Sequence, residues 1–313
     1  MRTARLRLVG SAGLFSTGGA AIKAASLTAW QVASFRSGIA AAAVWLLVPA
    51  ARRRWRPRVL AVAAVYAATM VSFVVANKLT TAANAVFFSA TAPLYVLLAG
   101  PLLLGERLRR GDVAFVGVVV AGMALCFLGT GAPQATAPDP ARGNLVGALS
   151  GLLWACTVLG LRWLGTGARR RAHADDQRAP GAAPDASETI VTVVAGNVLA
   201  CLACLPMALP VAGAGAVDWL VVLYLGAVQI GLAYLALTTA MPHVPALEAS
   251  TLLLVEPALN PVWALAVHGE RPGAASWAGG AVILAAAAVK TWRDARREAR
   301  RAPDAASVPA APA

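Results

Sequence analysis

The chain alternates long apolar runs with short polar stretches, and ten of the runs are long enough to cross a membrane. A bilayer core about 30 Å thick needs roughly 20 apolar residues in an α-helix. Each run is much longer than the roughly 10 residues of a membrane barrel strand, so we expect helices. The predicted spans of this all-α integral membrane protein are 7–24, 28–49, 59–77, 82–104, 112–130, 144–164, 189–210, 216–240, 246–267 and 275–292.

Composition supports this reading. Of the 313 residues, 59% are hydrophobic and 13% are charged, whereas a typical soluble protein has about 25% charged residues. So few charges cannot cover a water-facing surface. The net charge of +13 does not indicate nucleic-acid binding, because the basic residues form short clusters between apolar runs and do not cover a polar surface.

The positions of Lys and Arg predict how the chain lies in the membrane. If the N-terminus is cytoplasmic and ten spans alternate, 21 of the 27 Lys and Arg residues fall in cytoplasmic segments and 4 fall outside. Cytoplasmic loops of membrane proteins are enriched in these residues. We therefore expect a multi-pass protein of the cell (inner or plasma) membrane with both termini in the cytoplasm.

Two stretches of the chain repeat one motif at a constant spacing. Residues 91–107, TAPLYVLLAGPLLLGER, align with residues 255–271, VEPALNPVWALAVHGER, at an offset of 164. Pro93 then matches Pro257, and both copies end in Gly-Glu-Arg. Apolar residues match by chance, but a proline twelve residues before Gly-Glu-Arg seldom recurs, so the sequence indicates an internal duplication.

The duplication predicts the topology. Five spans in each half is an odd number, so the second half must enter the membrane upside down, as in many secondary transporters with inverted repeats. The predicted fold is ten transmembrane helices arranged as two inverted five-helix repeats. The predicted units are a first repeat over 1–130, a linker over 131–143, a second repeat over 144–292 and a disordered cytoplasmic tail over 293–313.

These features resemble the drug/metabolite transporter superfamily, and within it the EamA-type ten-helix exporters. The resemblance covers residues 5–292 and rests on the proline and Gly-Glu ending of the fourth and ninth spans, Leu-Trp-Ala at 153–155, Lys23 and Arg36. The chain departs from the family pattern at 16–17, where Ser-Thr stands near a usual tryptophan. The resemblance implies export of small metabolites, amino-acid-like compounds or drugs, often driven by protons, through a cavity that excludes the fifth and tenth spans.

Glu256 is the strongest candidate for a coupling residue. It lies in the middle of the ninth predicted span, where a charge costs roughly 2.5–3.5 kcal/mol on insertion scales and normally serves a function. Its carboxyl group is a candidate proton carrier. The alternative is a structural carboxylate neutralised by a neighbour such as Arg36. Arg36 is itself a candidate substrate contact, and its alternative is a structural role with a carboxylate, backbone carbonyls or water as its partner.

Pro93 and Pro257 are candidate markers of the transport site. Proline lacks a backbone N–H and frees the carbonyl four residues earlier, which here belongs to Ser89 or Leu253. Paired interruptions at matching positions of two halves indicate a transport site, although a proline kink can also serve packing alone. We expect both prolines near mid-depth, facing each other or a common space.

Trp154, Asn260 and Gln229 are further candidate substrate contacts, although amides within apolar spans can equally hold helices together. Each lies in or beside an apolar run of the second half.

Four charged residues at span ends are structural or gating candidates. Glu106 and Glu270 are expected to cap or anchor the next helix along the chain. Lys23 and Arg162 are expected to reach towards the membrane interface.

The sequence has no recognisable enzyme, metal or cofactor motif. Its three histidines are dispersed, and it lacks a phosphate-binding glycine loop and a nucleophile elbow. The leading hypothesis is that the chain lies in the lipid bilayer and is a secondary active transporter. Its substrate would be a small molecule, and protons are the candidate coupling ion. The alternative is an integral-membrane channel or a non-catalytic membrane scaffold.

Overall fold

The computed structural model describes residues 2–104, 110–129, 131–174, 186–240, 243–244, 249 and 252–306. Within these ranges the chain is helical, and its only extended pairing is an isolated bridge between Gln134 and Ala137. The helices are α1 (Arg2–Ser16), α2 (Gly18–Ala24), α3 (Ala29–Leu47), α4 (Pro57–Leu79), α5 (Ala82–Ser89), α6 (Ala92–Leu104), α7 (Arg110–Leu128), α8 (Pro140–Ala174), α9 (Ala186–Ala208), α10 (Ala216–Leu223), α11 (Ala233–Ala240), α12 (Val255–His268) and α13 (Ala274–Ala306). A π-helical segment, Tyr224–Leu232, joins α10 to α11.

Seven helical stretches within the described ranges are long and apolar enough to cross a membrane. The chain is therefore a multi-pass membrane protein. The other three predicted spans are not long and apolar enough as single helices, and the structure shows a reason for each. The first is interrupted between α1 and α2, α3 carries buried Gln31 and Arg36, and α12 has only 14 residues. The count of ten spans stays a prediction.

The helices differ in how much of their surface the protein covers. In the span Ala82–Ala99, 56% of the residues are buried, whereas in Gly111–Leu128 and Ala274–Arg293 the share is 28%. The most buried span belongs to α5 and α6, and the two least buried belong to α7 and α13. A helix that exposes most of an apolar surface suits a position facing lipid, so α7 and α13 lie at the periphery.

The packing pattern is the same when the two predicted halves are exchanged. The third span of the first half, α4, packs against the first span of the second half, α8, and α11 packs against α1. The second spans, α3 and α9, contact each other, as do the fifth spans, α7 and α13. Two related repeats would pack in this way, and their inverted orientation stays a prediction.

Two helices extend beyond their predicted ends. α8 continues to Ala174, into the predicted polar loop 165–188, and α13 continues to Ala306, past the boundary predicted at 292. Residues 165–174 and 293–306 are therefore helical and do not form the loop and the disordered tail that were predicted there, whereas the domain boundaries stay predictions. Alanine and arginine dominate both extensions, and both have high helix propensity, so polarity alone is a poor sign of a loop here. The rest of the predicted loop up to 185, and the tail 307–313, lie outside the described residues.

Candidate functional site

Three of the helical segments around the centre are interrupted. α1 ends at Ser16 and α2 begins at Gly18, α5 ends at Ser89 before α6, and α12 begins after a turn at Leu254. An interruption leaves backbone N–H and C=O groups without helical partners, which a membrane protein tolerates only where protein or a water-filled cavity surrounds them. α12 contacts α1, α2 and α5. The interrupted helices therefore pack against one another.

The two repeat prolines lie just after breaks and do not kink continuous helices. Pro93 is the second residue of α6, and Pro257 is the third residue of α12. A proline in the first turn loses no intrahelical hydrogen bond and is well placed to start a helix. Pro257 is buried and Pro93 is exposed, so the two prolines lack the equivalent surroundings that the repeat predicts.

Three amide side chains surround the start of α2, and we call Asn77, Gln229 and Asn260 the amide cluster. A Cβ atom at Gly19 would lie 2.6 Å from Asn260 Oδ1 and 3.0 Å from Asn77 Oδ1, and one at Gly18 would lie 2.8 Å from Gln229 Nε2. Glycine at both positions lets the amides approach the backbone this closely. The cluster joins α4 of the first half to α12 and the π-helical segment of the second.

The amide cluster is buried but only partly hydrogen-bonded. Asn77 and Asn260 are 0% exposed and Gln229 is 6% exposed. Asn77 donates to the Phe73 carbonyl at 2.9 Å, and Gln229 donates to the Phe15 carbonyl at 3.4 Å. Asn77 Oδ1, Gln229 Oε1 and both amide atoms of Asn260 have no partner. Buried polar atoms nearly always find a partner, so these four identify a candidate binding site.

Two aromatic residues of the second half hold the break between α1 and α2. Trp263 Nε1 donates to Ser16 Oγ at 2.9 Å, and the hydroxyls of Thr17 and Tyr224 lie 2.7 Å apart. At Ser16-Thr17 the sequence departs from the family pattern by lacking a nearby tryptophan. In the structure, Trp263 on α12 supplies an indole at that place.

A buried ion pair lies one turn beyond the amide cluster. Lys23 Nζ is 2.8 Å from Glu270 Oε1, and the two side chains are 2% and 0% exposed. Lys23 also donates to the carbonyls of Thr80, at 2.7 Å, and Thr136. Glu270 Oε2 accepts the Ala82 N–H at 2.9 Å. A buried pair needs such extra hydrogen bonds to offset desolvation, and this one joins α2 and α5 to the end of α12.

These contacts bear on two predictions. The side chain of Lys23 is buried against Glu270, and its place at the membrane interface stays a prediction. Glu270 binds the first N–H of α5 and not the helix that follows it in the chain. Gly269 ends α12 with a φ of 65°, a left-handed conformation that glycine adopts easily and that turns the chain sharply.

Arg36 and Glu256 do not form an ion pair with each other in the described part of the chain. Arg36 is 2% exposed and donates to the Met70 carbonyl at 3.2 Å. The ring of Tyr234 lies 6.4 Å from that of Tyr66. Among the described residues, no salt bridge joins Arg36 to the partly buried Glu256. The neutralised pair considered from the sequence is therefore not formed in this structure.

Three further predicted residues are not members of the amide cluster. Both Trp154 and Arg162 lie on α8, where Trp154 is half-buried and Arg162 is exposed. Glu106 lies outside the described residues.

Two charged residues near the ion pair were missed by the sequence analysis. Asp218 accepts from Ser26 N at 2.6 Å, Ser26 Oγ at 2.8 Å and Gly215 N at 3.0 Å. Lys78 donates to the Ala25 carbonyl at 2.6 Å. A signal for Asp218 was available, because an acidic residue at the third position of a helix commonly binds the N–H that precedes the helix.

Comparisons with known proteins agree with this architecture. Residues 4–128 and 183–292 match the model of the EamA-like transporter family. No curated protein matches the chain. One solved structure, described only as the crystal structure of a protein, is similar with a TM-score of 0.57 and 22% sequence identity over 95% of this chain and 99% of that chain. At that identity the likeness shows the fold alone.

Proposed function

The chain belongs to the EamA-like transporter family, and from this premise we propose that it is a secondary active exporter of small metabolites, amino-acid-like compounds or drugs. Family membership makes it a membrane transporter of small solutes. The observation that carries the finer proposal is the buried Lys23–Glu270 pair beside a set of interrupted helices. Secondary transporters bind solutes at such interruptions and open the site to each side in turn.

The proposed topology has ten spans in two inverted repeats, 1–130 and 144–292, joined by the linker 131–143. The exchange symmetry of the helix packing supports the repeats, and the bias of Lys and Arg supports cytoplasmic termini in the cell membrane. In this topology the ends of α2 and α12 lie at the outer face. The Lys23–Glu270 pair is then the outer barrier, and this arrangement is closed to the outside.

Glu256 is the proposed proton carrier. It lies one helical turn before Asn260 on α12, so both side chains share one face of that helix. The equivalent residue in the first repeat is Ala92, so only one half has the titratable group. We propose that Glu256 takes a proton from the outside after the substrate leaves, and releases it to the cytoplasm when the next substrate binds.

The first experiment identifies a substrate. Cells that overexpress the chain are screened for resistance to a panel of metabolites and drugs, with cells that express Lys23→Met at the same level as the comparison. We expect resistance that depends on Lys23. A scaffold would give no resistance with either protein.

The second experiment tests coupling in reconstituted vesicles. Glu256→Gln keeps the shape of the side chain but cannot titrate, so we expect substrate exchange to continue and uphill transport driven by a pH gradient to stop. Glu188→Gln is the matched control, because Glu188 lies in the first turn of α9, 3.8 Å from Arg56. Full gradient-driven transport by Glu256→Gln would refute the coupling role, and wild-type flux that never exceeds equilibrium would favour a channel.

A further inference from the structure

We propose that the amide cluster binds a monovalent cation, either a free sodium ion or the ammonium group of the substrate. This inference rests on the proposed transport function and names the ligand chemistry of the same site. The observation behind it is that three buried amide oxygens, Asn77 Oδ1, Gln229 Oε1 and Asn260 Oδ1, have no partner. The oxygens of Asn77 and Asn260 both lie beside Gly19 at the helix break, and the amide group of Gln229 lies beside Gly18.

The hydrogen bonds of the cluster fix which atoms face the site. Asn77 Nδ2 donates to the Phe73 carbonyl, and Gln229 Nε2 donates to the Phe15 carbonyl. If the oxygen and nitrogen of either amide were exchanged, the amide oxygen would face a carbonyl oxygen, which cannot donate a hydrogen bond. The amide oxygens are therefore the atoms without a partner. Asn260 can present its oxygen as well, because neither of its amide atoms is bonded. The site therefore offers mainly acceptors.

The charges and dipoles around the cluster also favour a cation. α1 ends at Ser16, and the C-terminal end of a helix carries a partial negative charge. Glu256 lies one turn before Asn260 on α12. Lys23, one turn after Gly19, is the nearest opposing charge along α2, but Glu270 neutralises it at 2.8 Å. The start of α2 at Gly18 adds an opposing partial positive charge, but α2 is short, with 7 residues, and Lys23 is paired, so the acceptor oxygens and the end of α1 outweigh it.

The ligands suit a monovalent cation better than a divalent one. Hard cations take oxygen ligands, and divalent ions in proteins are usually bound by carboxylates. The cluster itself supplies only neutral amide oxygens. Transporters with discontinuous helices bind sodium through unwound carbonyls and half-helix C-terminal ends. An alkyl ammonium group has the same charge and donates hydrogen bonds to the same oxygens.

Binding is tested by thermal unfolding of the purified full-length chain. A thiol-reactive fluorogenic dye reports unfolding, because Cys126 and Cys204 are buried in the native protein. Sodium chloride is titrated against choline chloride at constant total salt, and methylammonium chloride is titrated in the same way. A ligand that binds only the folded state stabilises it saturably, so we expect the Tm to rise to a plateau with one or both cations.

Three variants assign the effect to the cluster. Asn260→Leu should weaken the apparent affinity at least roughly tenfold, and Asn260→Asp should strengthen it by adding a negative charge. Asn197→Leu is the matched control, because Asn197 is a fully buried amide on α9 that also has an unpartnered oxygen. Its Tm shift should equal that of the wild type.

Each outcome has one meaning. A shift with sodium alone identifies a free ion, and one with methylammonium alone identifies a substrate ammonium group. Mutual competition identifies a site open to both. Absence of a saturable shift with either cation, or an unchanged affinity in Asn260→Leu and Asn260→Asp, would overturn the proposal. Because no transported substrate is involved, these results are independent of the vesicle experiment, and failure of one proposal can be told from failure of the other.

Discussion

Replacing Lys23 with methionine removes one charge of a buried pair and leaves the other without a partner. Glu270 is 0% exposed at its side chain, and breaking a buried pair in this way costs about 3–5 kcal/mol. Opening the proposed outer barrier at the ends of α2 and α12 would admit water to Glu270 and relieve that cost. At 1.4 kcal/mol per factor of ten, the closed arrangement should lose roughly 100- to 4,000-fold in population relative to an open one.

The population change can be measured by cysteine labelling. In a background with the four native cysteines replaced, a single cysteine is introduced at Ala20, which lies on α2 three residues before Lys23 and is 5% exposed. A membrane-impermeant maleimide is added from the outside. We expect slow labelling with Lys23 present and much faster labelling with Lys23→Met.

Two double variants test the reasoning. Lys23→Met with Glu270→Gln removes both charges and keeps an acceptor for the Ala82 N–H, so it should label more slowly than Lys23→Met alone. The charge exchange Lys23→Glu with Glu270→Lys should not restore slow labelling, because the Thr80 carbonyl and the Ala82 N–H fit only the original arrangement. If Lys23→Met lowers the Tm but leaves labelling slow, the pair is a structural contact and the proposed barrier is wrong.

Two further predictions concern stability and are checked by the dye-based unfolding assay. Asp218→Ala removes the acceptor of three hydrogen bonds, so unfolding should become easier by at least about 1.5–3 kcal/mol, the value of one bond to a charged group. An unchanged Tm would mean that water replaces the carboxylate. Gly279→Ala would place a Cβ atom 2.5 Å from the Gly122 carbonyl and should cost about 1–3 kcal/mol. Gly117→Ala, which meets nothing within 4 Å, should not destabilise the chain, and equal effects of the two changes would contradict the packing argument.

The uninterrupted spans follow from the sequence because lipid imposes a single simple rule. A run of roughly 20 apolar residues must be helical to satisfy its backbone, and the prediction of 216–240 coincides with α10, the π-helical segment and α11. The break at Thr17 could not be predicted in this way. No proline marks it, and the contacts that hold it come from Tyr224 and Trp263, which lie more than 200 residues away.

Several residues of the candidate site could be identified from the sequence one at a time, but their contacts with one another could not. Glu256, Asn260 and Gln229 stand out because polar side chains are rare within apolar runs. The convergence of Asn260 and Gln229 on Gly18 and Gly19 depends on how the two halves pack, which no local pattern encodes. The pairing of Lys23 with Glu270 was missed for the same reason, since the internal repeat relates each of them to a residue in the other half and gives no information on contacts between halves.

The contact between α7 and α13 has a mechanical consequence. A Cβ at Gly122 would lie 3.0 Å from the Gly279 carbonyl, and one at Gly279 would lie 2.5 Å from the Gly122 carbonyl, so the two backbones touch along this seam. Helices in lipid associate most firmly where small residues allow such contact. The seam joins the last helix of each half, so it ties the halves together at the periphery. Large sliding of one half past the other would break it, whereas rotation about an axis close to the seam would leave it intact.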